Sequence, residues 1–447
     1  MNSKEPCKSE LQEEFKERMD YNELLNCMRC GFCLPSCPTY VETNRNEAAS
    51  PRGRIALIKG VVDGLIEPDS QFENQLNQCL GCRACEPVCP SGVRYGHLLE
   101  EARDIIEQKK TRSIIVRFIR WLTFKQLFPY KSRLIKLNGL IWFYQKSGLQ
   151  KLVRKSGFLS ILPTSLRQME KILPDIPAPK EMKHRERYLK SETSRKKTVA
   201  FFSGCLMDTM FLNTNQSTLR LLQKVGCDII IPDLQVCCGA LHGHSGEKEQ
   251  AKQLAKKNIQ AFEKLEVDWI VVNAGGCGGY LVDYGHLLKD NQDFAERAKK
   301  FAGKVKDISE VLVELDFHKM DLQLSNQVVT YQDSCHLRNV MNSSAAPRTL
   351  LKSIKGLSYK ELKESDRCCG SAGIYNLVQE EMSLSILDHK MKHVKDIQPQ
   401  VIVTANPGCL LQMKVGIERE GLRHKIKAVH ISDLLLESTK SSLGDHF

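Results

Sequence analysis

Apolar residues recur along this chain with two different periods. Leu11, Phe15 and Met19 step by four, which predicts a helix over 10–26. A Pro-Arg-Gly-Arg run at 51–54 leads into Ile55, Leu57, Ile58, Val61, Val62 and Leu65, the pattern of a buried helix. Another helix is expected over 96–110. Mixed apolar and basic runs follow at 114–122 and 139–144. Pro163, Pro174, Pro177 and Pro179 then break any helix, and the charged stretch up to Lys197 reads as a linker. Beyond it the period changes. The runs TVAFFS (198–203), IVVNA (270–274), QVVTYQ (327–332) and VIVTA (401–405) alternate with helical stretches at 247–265 and 375–394. That alternation predicts parallel α/β units. The fold class is α plus α/β: a helical N-terminal part, a basic helical middle segment and a C-terminal α/β part.

The α/β part repeats itself. Cys205, Cys237-Cys238-Gly239 and Cys277 are matched by Cys335, Cys368-Cys369-Gly370 and Cys409, at offsets of 130, 131 and 132. ISEVL (308–312) is echoed by ISDLL (431–435). Two duplicated halves, 197–325 and 326–447, are expected to face each other about a pseudo-two-fold axis, with a strand order the sequence does not reveal. The N-terminal domain is placed at 1–108, and the basic segment with its linker at 109–196.

Charge is concentrated rather than spread. The chain of 447 residues has a net charge of +12, yet residues 109–171 contain 15 Lys and Arg against the single acid Glu170. That window alone exceeds the total, so the rest of the chain is slightly acidic. Two readings suit it: a solvated basic face, or a surface that docks on an acidic partner or on anionic lipid, with Trp121, Trp142 and Tyr144 as interfacial anchors. No recognised fold or aromatic platform for nucleic acid accompanies the charge. The N-terminus lacks an apolar signal-peptide core and no run approaches a membrane span, so a cytoplasmic protein is expected, peripheral at most on the inner face of the cell membrane.

Eighteen cysteines in such a chain point to metals rather than disulfides. Eight of them form two copies of one spacing, Cys27-x2-Cys30-x2-Cys33-x3-Cys37-Pro38 and Cys79-x2-Cys82-x2-Cys85-x3-Cys89-Pro90. This is the spacing of [4Fe–4S] sites in two-cluster ferredoxins, where the fourth thiolate of each run reaches across to the other cluster. One cluster is therefore expected on Cys27, Cys30, Cys33 and Cys89, and the second on Cys79, Cys82, Cys85 and Cys37. The long insert and flanking helices predict an α-helical ferredoxin domain. Zinc uses paired C-x2-C units and has no need of the third cysteine or the Cys-Pro end.

The repeated cysteines carry a second chemistry. Adjacent Cα atoms lie about 3.8 Å apart, below the usual disulfide range of about 4.4–6.8 Å. Cys-Cys-Gly is thus a poor internal disulfide and a good double ligand, its glycine permitting a tight turn. Cys205, Cys237, Cys238 and Cys277, and likewise Cys335, Cys368, Cys369 and Cys409, are candidate metal ligands. A further cluster, zinc, and ordinary reduced thiols all stay open for them. Cys7 and Cys227 have no repeat partner and read as free thiols. His242, His244 and His336 flank these motifs and are expected to bond backbone rather than metal.

The motifs CCGALHGHSG (237–246), CCGSAGIYN (368–376), DSCHL (333–337) and NPGCLLQ (406–412) resemble the CCG domains of the heterodisulfide reductase subunit family. Behind a two-cluster domain with CLGCRACEPVCPSGVRYG (79–96), they are similar over essentially the whole chain to the iron–sulfur subunits of glycolate oxidase. The fullest CCG pattern closes on a C-x2-C pair that supports a non-cubane cluster. Here Cys277 is followed by Gly278, Gly279 and Tyr280, and Cys409 by Leu410, Leu411 and Gln412, so the fifth ligand is missing twice. That counts against thiol–disulfide reduction at the CCG site. Two-electron oxidation of a hydroxy acid needs a flavin or nicotinamide, and no site for either is evident. The resemblance implies an electron-transfer subunit working with an FAD-containing hydroxy-acid dehydrogenase and passing electrons toward quinone or another acceptor. Glycerol-3-phosphate or D-lactate dehydrogenase would be equivalent partners.

Overall fold

In the computed structural model, which describes residues 8–161, 164–183 and 186–439, the N-terminal part is helical throughout. The stripe expected over 10–26 is broken into helices Lys8–Arg18 and Tyr21–Leu25, because Asp20 caps the second through a bond from the Glu23 amide. The helix Pro51–Val62 starts on a Ser50 N-cap with Pro at its first turn. It stops before Leu65, which is 80% exposed rather than buried, because Gly64 takes a left-handed conformation at φ +78. Phe15, Ile58, Val61, Leu76, Leu98, Leu99, Ala102 and Ile105 close a small core between these helices and the helix Tyr95–Lys109.

The α/β part contains two sheets. The strands are β1 (Tyr188–Leu189), β2 (Lys197–Phe201), β3 (Cys227–Ile230), β4 (Trp269–Val272) and β5 (Val305–Asp307) in the first. The second holds β6 (Gln323–Tyr331), β7 (Lys355–Tyr359), β8 (Val401–Thr404) and β9 (Lys427–His430). Their orders are β1-β3-β2-β4-β5 and β7-β6-β8-β9. Apart from β1, an antiparallel edge on β3, every pairing is parallel. The stretch read as a pure linker thus supplies that edge strand. Removing β1 leaves identical orders, so the duplication in sequence is a duplication of topology.

The halves pack reciprocally. Helix Leu212–Lys224 of the first lies against Ile431–Ser438 of the second, while Ala345–Lys352 of the second lies against Ile308–Glu314 of the first. Val199, Phe201, Ile229 and Val271 share one buried core with Val329, Tyr331, Val401 and Val403. Helix Gly275–Val282 presents glycines to helix Cys335–Asn339: a Cβ on Gly279 would stand 2.8 Å from that of His336, and one on Gly275 would collide with Ser334. Only glycine lets these backbones approach so closely.

The basic segment forms helices Ile114–Arg120, Lys131–Lys146, Leu149–Lys155 and Thr164–Lys171. Much of its charge is turned inward. Arg120 pairs with Glu107 and Glu247, Arg112 with Glu73 and Glu107, and Lys131 with Asp208. The anchors divide: Trp121 is exposed, whereas Trp142 packs against the cluster of Ile135, Ile176, Met182 and Leu212, and the Tyr144 hydroxyl donates to Glu170. Ile114, Ile115, Phe118, Leu140, Phe143, Leu152 and Ile161 are among the exposed apolar groups here. Among the described residues no helix is long and apolar enough to cross a membrane.

Candidate iron–sulfur centres

The two N-terminal cysteine runs fold into matching loops. Arg29 and Gly31 have positive φ (57 and 91), as do Gly81 and Arg83 at the corresponding places (63 and 57). Leu34 and Cys37 donate backbone bonds to Gly31 and Leu34, just as Glu86 and Cys89 do to Arg83 and Glu86. Each loop so turned points three thiols to one side. Cys27, Cys30, Cys33 and Cys89 line one cavity with Cys85, Ile55, Val93 and Tyr95. Cys37 lies within electrostatic reach of Cys82 and Cys85 together with Cys79, and of Cys33 in its own run. The thiols of the two loops thus converge on one shared region of the helical domain.

In the α/β part the cysteines follow strand ends. Cys205 comes after β2, Cys237 and Cys238 after β3, and Cys277 after β4; Cys335, Cys368, Cys369 and Cys409 follow β6, β7 and β8 likewise. The chain leaves β2 for β3 on one side and returns to β4 on the other. The crevice between β2 and β4, and between β6 and β8, is the switch point where open α/β sheets bind ligands. The Cys205 thiol neighbours that of Cys237, Cys237 that of Cys238, and Cys238 that of Cys277, all as free thiols. Cys335, Cys368, Cys369 and Cys409 form the same chain of contacts. Gly239 and Gly370 take φ +89 and +90, the left-handed turn the Cys-Cys-Gly motif called for.

The donor chemistry of all four sets suits a thiophilic metal centre. Burial, then neighbouring cysteines, pushes the Cys82 and Cys85 thiols well above their ordinary range. For Cys205 and Cys335 the bond from the next cysteine comes first and burial second, in the same direction. Converging thiols of this kind become metal ligands once a metal centre takes their protons. Donors aim at the sulfurs: the Gly81 amide reaches Cys79 at 3.4 Å and the Asn406 side-chain amide reaches Cys409 at 3.6 Å.

The centres are also close to one another. Cys82 shares a buried cluster with Cys368, and Cys335 packs against it. Side-chain bonds to backbone carbonyls fix this contact: His336 Nε2 donates to Gly81 at 2.9 Å, Asn339 Nδ2 to Cys82 at 2.9 Å and the Tyr375 hydroxyl to Gln78 at 2.8 Å. Cys277 of the first repeat in turn packs against the cluster that contains Cys369 and Cys409. Of the three histidines, His242 and His336 bond the carbonyls of Phe124 and Gly81, whereas His244 bonds the Glu100 carboxylate at 2.7 Å. Cys227 is buried in the core of the first sheet. Cys7 lies outside the described residues.

Two buried cations escaped the motif search. Arg54 is fully buried between Thr39 and the Gln75 carbonyl, within reach of Cys79 and Cys37. Lys390 is 1% exposed beside Cys368 and Cys369, where burial lowers its ammonium to about 8. Both stand on apolar helix stripes, with Ile58 and Val61 and with Ile386, Leu387 and Val394. A charge in such a stripe was the available signal.

Four-thiol sets on matched loops and at paired sheet switch points define an iron–sulfur protein with a two-cluster domain and tandem cysteine-rich domains. Sequence models agree, matching a 4Fe-4S dicluster domain at 23–93, a cysteine-rich domain at 199–281 and 329–414, and a glycolate oxidase iron-sulfur subunit linker region at 115–173. The chain is 65% identical over 430 residues to the probable glycolate oxidase iron-sulfur subunit of Bacillus subtilis, covering 96% of this chain and 97% of that one. It is 30% identical to the glycolate oxidase iron-sulfur subunit of Escherichia coli, covering 94% and 98%. Lactate utilization protein A of an Exiguobacterium species matches at 31% over 245 residues, 55% of this chain and 99% of that protein. A Helicobacter pylori protein described as hypothetical shares the fold, with a TM-score of 0.52 at 11% identity over 98% of this chain and 77% of its own. The chain belongs to the glycolate oxidase iron–sulfur subunit family.

Proposed function

We propose that this chain is the electron-transferring subunit of a glycolate oxidase or dehydrogenase. It would take electrons from a flavoprotein that oxidises the 2-hydroxy acid and pass them toward quinone or another acceptor. The contact of Cys82 with Cys335 and Cys368 carries this reading, because it places the N-terminal thiol sets and the second repeat's set in one continuous series. Cys27, Cys30, Cys33 and Cys89 would hold one [4Fe–4S] cluster, Cys37, Cys79, Cys82 and Cys85 the other, and the repeat thiols a further centre. Such clusters, when bound, supply one-electron exchange. The protein's own residues bury the sulfurs, aim amides at them and set fixed charge nearby through Arg54 and Lys390. The domain interface keeps the series together.

The names of two relatives support glycolate as the substrate of the partner. Anaerobic purification of the tagged chain from its host tests the assignment: a flavin-containing hydroxy-acid dehydrogenase should elute with it, and its reproducible absence would remove the assigned partner.

The exposed apolar groups of the basic segment, interleaved with exposed Arg117, Lys136 and Lys151, support peripheral contact with anionic lipid. Arg117→Glu/Lys136→Glu/Lys151→Glu is expected to abolish co-sedimentation with anionic vesicles while leaving the iron content unchanged. Equal sedimentation of wild type and variant would sink the lipid contact.

A further inference from the structure

His389 and His393 lie four residues apart on helix Glu380–Ile397, so their rings share one face. Glu364, from the loop before the second Cys-Cys-Gly, closes that face. Its Oε2 stands 3.2 Å from His389 Nε2 and 3.7 Å from His393 Nε2, and one ligand atom from each residue falls within 4.8 Å of the others. Ligands about 2.0–2.1 Å from a tetrahedral zinc stand about 3.3 Å apart. Glu364 Oε2 therefore already sits near that spacing from both ring nitrogens.

The surroundings suit a metal as well. Glu42 Oε1 reaches His389 Nδ1 at 3.0 Å, and Asp396 lies 3.8 Å from His393 Nδ1. His389 thus has a carboxylate behind it at bonding distance, the arrangement that fixes tautomer and ring orientation in metal sites. Both His393 nitrogens are buried and without a hydrogen-bond partner, which costs free energy unless something binds them. Arg367 occupies the remaining side, with Nε 3.1 Å from Glu364 Oε2 and Nη1 3.4 Å from His389 Nε2. Its other acid, Glu42, is 3.9 Å away and can take the guanidinium when a cation claims Glu364.

We propose that Glu364, His389 and His393 form a site for a divalent transition metal ion of the zinc type, separate from the thiol centres. Nitrogen and carboxylate donors select such an ion over an iron–sulfur cluster, whose ligands are thiolates. The ion ties the second repeat to the ferredoxin domain, since Glu42 ends the helix Pro38–Glu42 that follows Cys37, and it is held from the far side by Ser385 at 2.8 Å.

The test uses the full-length protein purified anaerobically with its clusters intact, saturated with Zn2+ and dialysed. Zinc and iron per chain are then measured side by side in wild type, His389→Ala/His393→Ala and Glu364→Gln. About one zinc per chain is expected in the wild type and none in the double variant, with iron equal in both. Equal zinc in the double variant would place the metal on thiols and overturn the site, as would no retained zinc in the wild type. Should the double variant lose iron, Glu364→Gln decides: its zinc affinity is expected to fall more than about tenfold, the loss that removing even an outer partner causes. Unchanged affinity refutes the proposal.

Discussion

Cys37→Ser is expected to empty the site of Cys79, Cys82 and Cys85 while sparing that of Cys27, Cys30 and Cys33, although Cys37 belongs in sequence to the latter. The reason is the two-cluster spacing, in which the fourth thiolate of each run serves the other cluster. Cys37, N-cap of the helix Pro38–Glu42, is within electrostatic reach of Cys82 and Cys85 as well as of Cys33, and Cys89 lines the cavity of the first run. About four irons per chain should be lost, and about four retained. Cys89→Ser should give the complementary loss. Electron paramagnetic resonance of the reduced variants separates the two signals. If Cys37→Ser instead removed the signal that Cys27→Ser removes, the exchange of fourth ligands would be wrong.

The second large effect is expected at Arg83, inside the second cysteine run. Its guanidinium is 8% exposed and pairs with Glu86 and, across the domain interface, with Asp283 of the first repeat. Burial alone would raise the Asp283 carboxyl. Bonds from His97 and Arg83 outweigh burial and hold it well below the usual carboxylate range. Arg83→Met leaves that half-buried carboxylate without its main partner, and leaving such a group unpaired costs about 1–3 kcal/mol. The sign with pH follows from the depressed folded value. The pair's contribution is present above the unfolded carboxylate value of about 3.9 and is lost as the pH falls through and below it. The wild-type advantage over Arg83→Met, read as the difference in denaturant midpoints, should therefore narrow in acid. Adding Asp283→Asn should recover part of the loss. A variant as stable as wild type at neutral pH would mean that the interface does not depend on this pair.

Much of this architecture was legible because cysteine spacing and sequence repetition are local signals. The run Cys27 to Cys37 fixes its loop almost alone, and offsets near 130 between the repeats announce two equal α/β units. Helix ends were less legible. The break between Arg18 and Tyr21 depends on one capping bond from Asp20, and the halt before Leu65 depends on Gly64, so neither alters the apolar period. Long-range placement was not legible at all. Nothing in a one-dimensional pattern says that Cys82 meets Cys335 and Cys368, that Arg83 meets Asp283, or that Gly275 and Gly279 accept the helix of His336. Those contacts follow from how two sheets and a helical domain share one surface. The basic segment shows the same limit: its charge was countable, but its inward ion pairs with Glu107, Asp208 and Glu247 required the fold.

The most direct measurement follows the visible charge-transfer absorption of the anaerobically purified complex when glycolate is added, with dithionite as the reference for full reduction. Bleaching by glycolate to a large fraction of the dithionite change is the predicted result, since it requires both the clusters and a partner that feeds them. Full bleaching by dithionite with none by glycolate would contradict the assigned electron donor. Absence of the absorption altogether would contradict the iron–sulfur centres themselves.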